Sequence, residues 1–330
     1  GFSGSAGTAI ICSKGRSHLF VDSRYHIEAE HTCAEKFEIH KLGNKGVIEP
    51  HKWIASHSKT SLVIGADPFV MSYKEWKLYE NATLKNGNTF LPVSPNLVDT
   101  VWENRPNPPK KRIYNLPIEY TGKDSSQKLL EIQDELFEAN KSDSSRQYML
   151  LITKLDEIAW LTNLRGNDID YNPVFESYAV IFHDRAICFC YKSEETLEVH
   201  CPGWEFKPYE EYKFFLKEIS KNKNLRVWLD PSSVTMGNRL FFNDDQIVEK
   251  ICPIVISKAI KNKIEIESIK NAHKLSGIAV LKSFKFLEKA FVSGQMLTEK
   301  EYVDLLFTEY SKLENFSELS FKTIAGSGAN

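Results

Sequence analysis

Short apolar runs alternate with amphipathic stretches along the first third of the chain. Apolar runs at 9–12 and 18–22 flank a polar connection that contains a glycine, the pattern of two strands joined as a hairpin. Further apolar runs at 62–65 and 89–93 enclose a stretch whose periodicity predicts a helix over 73–84. Strands that alternate with helices in this way indicate an α/β fold.

The same alternation continues in the middle of the chain. A helix is predicted over 127–139, where Asp124 and Gln127 have the spacing of a capping box. A strand is predicted at 148–152, and a short helix at 156–161 follows it.

The second half of the chain repeats the first in outline. A strand, an Asp-Pro pair, a helix and a strand occur at Asp67-Pro68 and again at Asp230-Pro231. Gly4 and Gly166 stand almost equally far before these pairs, with two strands and a connecting helix expected in between. We therefore predict two copies of one α/β unit, the first of which lacks its opening strand and helix.

The pattern changes after the second copy. A long amphipathic helix is predicted to end at Gly294, and a second helix to begin at the capping box of Thr298 and Glu301. A strand over 319–324 follows. The apolar stripe of the long helix comprises Ile269, Ala272, Ser276, Val280, Phe284, Leu287 and Phe291. The buried face of the second helix is predicted to comprise Tyr302, Leu305, Leu306, Tyr310 and Leu313.

These elements predict three domains. The first spans 1–112 and ends in a Pro-rich, basic linker at 104–111, the second spans 113–262, and the third begins at 263 and is cut off at 330. Two helices and a strand do not close a core, and the chain starts without Met. We therefore expect both ends to be cuts through a longer protein.

Charge and composition exclude some classes of protein. The 330 residues include 42 Lys and Arg against 44 Asp and Glu, which argues against nucleic-acid binding driven by bulk positive charge. No apolar run approaches the roughly 18 residues of a membrane-spanning helix. Six scattered cysteines without a C-x-x-C pair are typical of a reducing compartment. Cys188 and Cys190 are expected on one face of a strand as small apolar residues.

Few residues suggest chemistry by type and spacing. His26, Glu28, Glu30 and His31 crowd one stretch, either as a metal site or as the solvated surface of a helix. The second interpretation is favoured because no other cluster completes a ligand set. No catalytic residue and no metal ligand is assigned from the residues alone.

Arg24 is the strongest candidate for a binding role. It lies just past a strand end, where side chains of α/β domains often face a cleft, and a salt bridge to a neighbouring carboxylate is an equal alternative. Asp156, Glu157, Trp160 and Arg165 form a similar group before Gly166. Asp156 is predicted to cap the short helix, and Trp160 to pack in the core.

Three sequence blocks resemble the eukaryotic-type Xaa-Pro aminopeptidases. The first domain of that family is similar to GFSGSAGTA at 1–9 with VDSRY at 21–25. The second domain closely resembles LDEIAWLTNLRGND at 155–168 with YNPVF at 171–175. The entry to the catalytic domain resembles LSFKTIAGSGAN at 319–330.

The resemblance implies two tandem creatinase-type α/β domains followed by the beginning of a pita-bread α+β domain. It implies a hydrolase that removes the N-terminal residue from peptides with proline in second position. Two divalent ions, expected to be manganese, would be held by two Asp, one His and two Glu beyond residue 330, so this segment alone is expected to be inactive. Arg24 carries over as a substrate-binding residue, although Ser23 replaces the usual glycine before it.

The resemblance also implies a cytoplasmic homodimer that acts on Xaa-Pro peptides and binds neither nucleic acid nor membrane. The alternative is a catalytically dead, peptidase-like binding module, as in the large subunit of a histone chaperone. An intact set of metal ligands after residue 330 would favour the enzyme.

Overall fold

A computed structural model of the chain describes residues 2–57, 62–85, 87–141, 145–191 and 199–328. The chain forms two compact units. Unit 1 comprises Gly1–Arg105 with Thr235–Arg239, and unit 2 comprises Pro106–Val234 with Leu240–Asn330. The predicted third segment lies within unit 2 in this division, and its boundary at 262 stays a prediction. No helix in the described ranges is long and apolar enough to cross a membrane.

Unit 1 contains a three-stranded sheet and a separate pair of strands. Its strands are β1 (Thr8–Ile10), β2 (Ser17–Val21), β3 (Phe37–Lys41), β4 (Val63–Ala66) and β5 (Thr89–Pro92). Its helices in this part of the chain are α1 (His26–Cys33), α2 (Pro50–His57), α3 (Tyr73–Leu84) and α4 (Leu97–Val101). β1 is antiparallel to β2, β2 is parallel to β3, and β4 pairs with β5 in parallel. The predicted hairpin and the helix over 73–84 are confirmed.

Alternate side chains of β2 pack on opposite faces of the three-stranded sheet. Leu19 and Val21 pack with Ala29 and Cys33 of α1. Side chains of successive strand residues point to opposite faces, so His18 and Phe20 lie on the other face. There both rings contact the indole of Trp53 in α2.

Unit 2 is built around one six-stranded sheet. The strands after β5 are β6 (Tyr114–Asn115), β7 (Gln147–Ile152), β8 (Leu164–Arg165), β9 (Ser177–Phe182), β10 (Ala186–Cys190), β11 (Trp204–Pro208), β12 (Leu225–Leu229) and β13 (Ile247–Glu249). The helices after α4 are α5 (Ile118–Thr121), α6 (Ser125–Asn140), α7 (Leu155–Thr162), α8 (Tyr212–Ile219), α9 (Met236–Arg239, in unit 1), α10 (Pro253–Ala259), α11 (Lys263–Val292) and α12 (Glu299–Ser311). The sheet order is β11-β10-β9-β7-β12-β13. Cys188 and Cys190 both lie in the core between this sheet and its helices, as predicted.

The predicted repeat is present in the strand pairing. β1-β2-β3 and β9-β10-β11 have the same order and directions, and each Asp-Pro pair stands between two parallel strands. Asp67 accepts a hydrogen bond from the N–H of Phe69 at 2.8 Å, and Asp230 accepts one from Ser232 at 2.8 Å. In the described residues, four strands (β1 to β4) lie between Gly4 and Asp67 and four (β9 to β12) lie between Gly166 and Asp230, so the expectation of two was wrong. In unit 2 β7 joins β9 to β12, whereas no strand in the described part of unit 1 joins β1 to β4.

The long helix differs from its prediction in what it buries. α11 has 30 residues, and its buried positions are Ala279, Ser283 and Ala290. Phe284 is 53% exposed and Phe291 is 80% exposed, so the predicted stripe is not buried by the described chain. The apolar pattern of the sequence predicts which residues share one side of the helix. Burial of that side also requires another part of the protein to pack against it, and the pattern does not show whether one does.

Local signals elsewhere agree with the structure. Asp124 caps α6 by accepting from the N–H of Ser126 at 2.8 Å, with Gln127 as the third helical residue. The capping box of Thr298 and Glu301 opens α12, whose buried residue is Leu306. The predicted strand over 319–324 is not formed. Residues 329 and 330, which end the motif block at 319–330, lie outside the described residues.

Candidate functional site

Arg24 forms a bidentate ion pair with a carboxylate two residues earlier. Its Nε lies 3.0 Å from Asp22 Oδ1 and its Nη2 lies 2.7 Å from Asp22 Oδ2. Asp22 Oδ1 also accepts from the backbone N–H of Arg24 at 3.0 Å, which caps a 3-10 turn directly after β2. The side chain of Arg24 is 59% exposed. The salt bridge expected as an alternative is therefore present, and the role in substrate binding stays a prediction.

The two segments of the first motif block, 1–9 and 21–25, contact each other around Tyr25. The Tyr25 hydroxyl lies 2.5 Å from Ser5 Oγ, and its ring makes an edge contact with Phe2 at 5.6 Å between centroids. Glu28 accepts from the N–H of Ser3 at 2.7 Å and from its hydroxyl at 2.8 Å. A Cβ on Gly4 would stand 2.4 Å from the Phe2 ring and 2.8 Å from the Tyr25 ring, so glycine permits this close approach.

Hydrogen bonds in this group favour the ionised forms of Asp22 and Tyr25 relative to the same side chains in water. The hydrogen bond from the Arg24 side chain lowers the pKa of Asp22. The hydrogen bond to the Ser5 side chain lowers the pKa of Tyr25. An exposed guanidinium that is oriented by Asp22 keeps further N–H donors for a carbonyl or carboxylate of a bound molecule.

The second motif block forms a buried polar network. Lys128 is 2% exposed, and its Nζ donates to the carbonyl of Trp160 at 2.9 Å and to Asn163 Oδ1 at 2.7 Å. Asn163 has a φ of 55°, and its amide donates to the carbonyl of Lys123 at 2.8 Å. Trp160 Nε1 donates to Glu265 Oε1 at 3.1 Å, so the block contacts the first turn of α11.

Two members of that block have roles other than a binding site. Arg165 donates to the carbonyls of Ala159 at 2.6 Å and of Leu164 at 2.9 Å, and burial lowers its pKa. The prediction that Asp156 caps α7 was wrong. The cap position is Lys154 without a side-chain hydrogen bond, and Asp156 pairs with Lys258 instead. Trp160 packs against the core, as predicted.

The histidine and glutamate cluster of α1 lies at the surface of unit 1, with Glu30 and His31 exposed and His26 and Glu28 half-buried. Glu28 is bonded to Ser3, and Glu30 forms an ion pair with Lys41 at 2.5 Å. His26 and His31 do not join these carboxylates in a group with metal-ligand spacing within the described residues. The structure supports the surface interpretation favoured from the sequence.

A different cluster, which the sequence did not reveal, does have metal-ligand spacing. The described residues bring His18, Glu38 and His40 together so that one ligand atom of each lies within 4.8 Å of the others. The available signal was the alternation of two strands, but only their pairing shows that the residues face one another. This set is not the two Asp, one His and two Glu of the resemblance, so the described residues do not fit a two-metal peptidase centre.

The fold and motifs define tandem α/β domains of the creatinase type. Family models described as the creatinase/prolidase N-terminal domain match residues 1–101 and residues 104–265. The chain belongs to this family.

The relatives are named as aminopeptidases, which confirms the resemblance seen in the motifs. A probable Xaa-Pro aminopeptidase P of Pyricularia oryzae is 34% identical over 351 residues, and the match covers 100% of this chain and 55% of that protein. Aminopeptidase P2 of Arabidopsis thaliana is 31% identical, with 100% and 50% covered. Xaa-Pro aminopeptidase ApepP of Drosophila melanogaster is 30% identical, with 100% and 54% covered. The chain thus spans about half the length of these relatives.

A solved structure shares the fold along nearly the whole chain. X-prolyl aminopeptidase from Caenorhabditis elegans, described as a cytosolic enzyme with a di-nuclear active site, matches with a TM-score of 0.87 at 25% identity. The match covers 98% of this chain and 53% of that protein. The expected α/β fold class is confirmed.

Proposed function

We propose that the chain is the N-terminal portion of a metal-dependent Xaa-Pro aminopeptidase, which releases the first residue of peptides with proline in second position. The observation that carries the proposal is the match of the entire chain to proteins of that name at 30–34% identity. The tertiary Xaa-Pro amide has no N–H and a restricted φ, so its hydrolysis needs a specialised enzyme.

The apolar side chains on the exposed side of α11 support the proposal that this chain is part of a larger protein. Phe284, Phe291 and Val292 are 53%, 80% and 81% exposed, and large apolar surfaces of this kind mark contact sites. We propose that residues 263–330 begin a third domain that covers this surface, after domains at 1–112 and 113–262.

Two divalent ions, with manganese as the expected metal, belong to this proposal. The residues that bind them would lie outside 1–330, since the described residues do not fit the ligand set. When bound, such ions polarise the scissile carbonyl and activate a water molecule. The proposed contribution of this chain is a binding one, with the oriented guanidinium of Arg24 on the substrate side.

A peptidase assay on the natural protein tests the proposal. Antibody against this chain would precipitate the protein from its source, and release of the first residue would be measured with a peptide that has proline second. The matched control peptide has alanine second. We expect release from the proline peptide alone, loss on chelation and recovery with Mn²⁺. A precipitate that releases nothing from the proline peptide would overturn the proposal and favour a binding module.

The isolated chain provides a second arm. Residues 1–330 are expected to release nothing from the same peptide with Mn²⁺ present, and measured turnover would place the metal site within this chain. We further propose a cytoplasmic location, by analogy with the neighbour described as cytosolic. A homodimer without nucleic-acid or membrane partners is proposed from the family resemblance alone. Sedimentation of the precipitated protein tests the dimer.

A further inference from the structure

We propose that His18, Glu38 and His40 bind one divalent transition-metal ion of the zinc class on the three-stranded sheet of unit 1. The three side chains present two imidazole nitrogens and a carboxylate. Zinc accepts this donor set with three protein ligands and a fourth position for water. The proposal is independent of the peptidase activity.

The spacing of the donor atoms is the first argument. His18 Nδ1 lies 3.0 Å from His40 Nε2, and Glu38 oxygens lie 3.6 Å from His18 Nδ1 and 3.8 Å from His40 Nε2. Bonds of roughly 2.0–2.2 Å around a tetrahedral ion place donors about 3.3 Å apart. The three distances bracket that edge, so small side-chain rotations suffice to bring all three donors onto one ion.

The backbone that carries the donors is the second argument. β2 and β3 are parallel, with His18 opposite Glu38 and Phe20 opposite His40. Glu38 and His40 are two residues apart on one strand, so both side chains point to the same face. Strand pairing fixes the Cα positions of all three ligands, which reduces the ordering that binding requires.

Aromatic packing orients the two imidazoles. The ring of His40 stacks on Phe20 at 4.2 Å and 10°, and the ring of His18 lies 4.2 Å from the Trp53 ring. The side chains of His18 and His40 are 12% and 14% exposed, whereas that of Glu38 is 54% exposed. Contacts with Phe20 and Trp53 therefore fix the orientation of the two imidazole rings. The ion can enter from the solvent-exposed side, where Glu38 lies.

Proton balance is compatible with binding when each imidazole carries a single proton. Without an ion, the 3.0 Å contact is a hydrogen bond in which one ring donates and the other accepts. With an ion, each ring keeps its single proton on the other nitrogen, Nε2 of His18 and Nδ1 of His40. Binding then needs a change of tautomer in one ring and no net release of a proton.

Titration of the metal-free 330-residue chain with Zn²⁺ tests the site. We expect one tight equivalent by calorimetry, retained after desalting and counted by elemental analysis. His18→Gln and His40→Gln should each weaken that equivalent by at least roughly tenfold. His31→Gln, which alters an exposed histidine of the same unit, is the matched control and should bind as the unaltered chain does.

Glu38→Gln keeps the test decisive even if a histidine variant folds poorly, because Glu38 is half exposed. It should also weaken Zn²⁺ binding while leaving the circular dichroism spectrum unchanged. With Co²⁺ in place of Zn²⁺, the visible absorption of a tetrahedral site should appear and be lost in His40→Gln. Zn²⁺ binding of equal affinity in the unaltered chain and in folded Glu38→Gln and His40→Gln, or no tight equivalent in the unaltered chain, would overturn the proposal.

Discussion

The ammonium group of Lys128 donates to Asn163 Oδ1 across 2.7 Å in the interior of unit 2. The same ammonium lies 4.1 Å from the centre of the Trp160 ring. Asn163 in turn is held by the carbonyl of Lys123, so one left-handed residue and one lysine tie α6 to the end of α7. The motif block at 155–168, which closely resembles the family, therefore contributes to the stability of the fold.

Replacement of Lys128 should destabilise the chain. Lys128→Met retains the apolar stem but leaves Asn163 Oδ1 and the Trp160 carbonyl without this donor. An unsatisfied buried acceptor costs about 1–3 kcal/mol of unfolding free energy. Urea unfolding measures the change, with Lys221→Met as the control. Lys221 pairs with Glu218 on the surface at 2.7 Å, and its loss should change stability by less than about 0.5 kcal/mol.

The stability contributed by Lys128 should also depend on pH. Burial lowers the pKa of Lys128 to about 8 in the folded chain, against 10.5 ordinarily. Between these values the unfolded chain binds more protons, so stability rises with pH across this window. The stability of the unaltered chain relative to Lys128→Met should therefore increase from pH 8 towards pH 10. A difference that stays flat or falls over that range would contradict the burial of this charge.

Arg24→Ala in the intact protein should lower kcat/KM for an Xaa-Pro peptide without changing metal content. A charge-assisted hydrogen bond contributes about 1.5–3 kcal/mol, so a loss of tenfold or more is expected. Arg24→Lys should recover little, since an ammonium cannot make the bidentate pair with Asp22. The control is Lys14→Ala in the exposed hairpin connection. Unchanged kcat/KM in Arg24→Ala would remove Arg24 from the substrate side.

Asp230→Ala should cost more stability than its counterpart Asp67→Ala. Asp230 is 6% exposed and accepts from Ser232 and from the buried N–H of Cys252 at 3.1 Å. Its removal orphans a buried donor, at about 1–3 kcal/mol. Asp67 accepts from the N–H of Phe69 and from the half-buried amide of Asn96 at 2.8 Å, which water can replace in part. Urea unfolding of both variants compares the two, and an equal or smaller loss in Asp230→Ala would contradict this.

Phe291→Ser tests whether the intact protein covers the exposed side of α11. In the 330-residue chain the change should be within about 0.5 kcal/mol, because Phe291 is 80% exposed. Leu306→Ala, at a position 7% exposed, should cost at least about 2 kcal/mol as the matched buried case. In the intact protein Phe291→Ser should lower the melting temperature. Equal melting temperatures there would mean that nothing covers this side of α11.

Sequence patterns predicted features that neighbouring residues determine. α3 matches its predicted range, and the Thr298 cap of α12 forms as predicted, because both depend on residues within one helical turn. The Asp156 cap failed because a lysine about a hundred residues away binds that carboxylate. His18 and His40 were missed for a related reason, since only the pairing of β2 with β3 places them together.

The position of β7 bears on how the two units open locally. In unit 2 the strand pairs with β9 and β12 at once, so every ladder of that sheet belongs to one cooperative hydrogen-bonded body. In the described part of unit 1 no strand joins β1 to β4, so each of these two strands has one edge that is paired to no strand. Amide protons of β1 and β4 should exchange with solvent through local unfolding. Those of β9 and β12 should exchange only through the cooperative unfolding of unit 2.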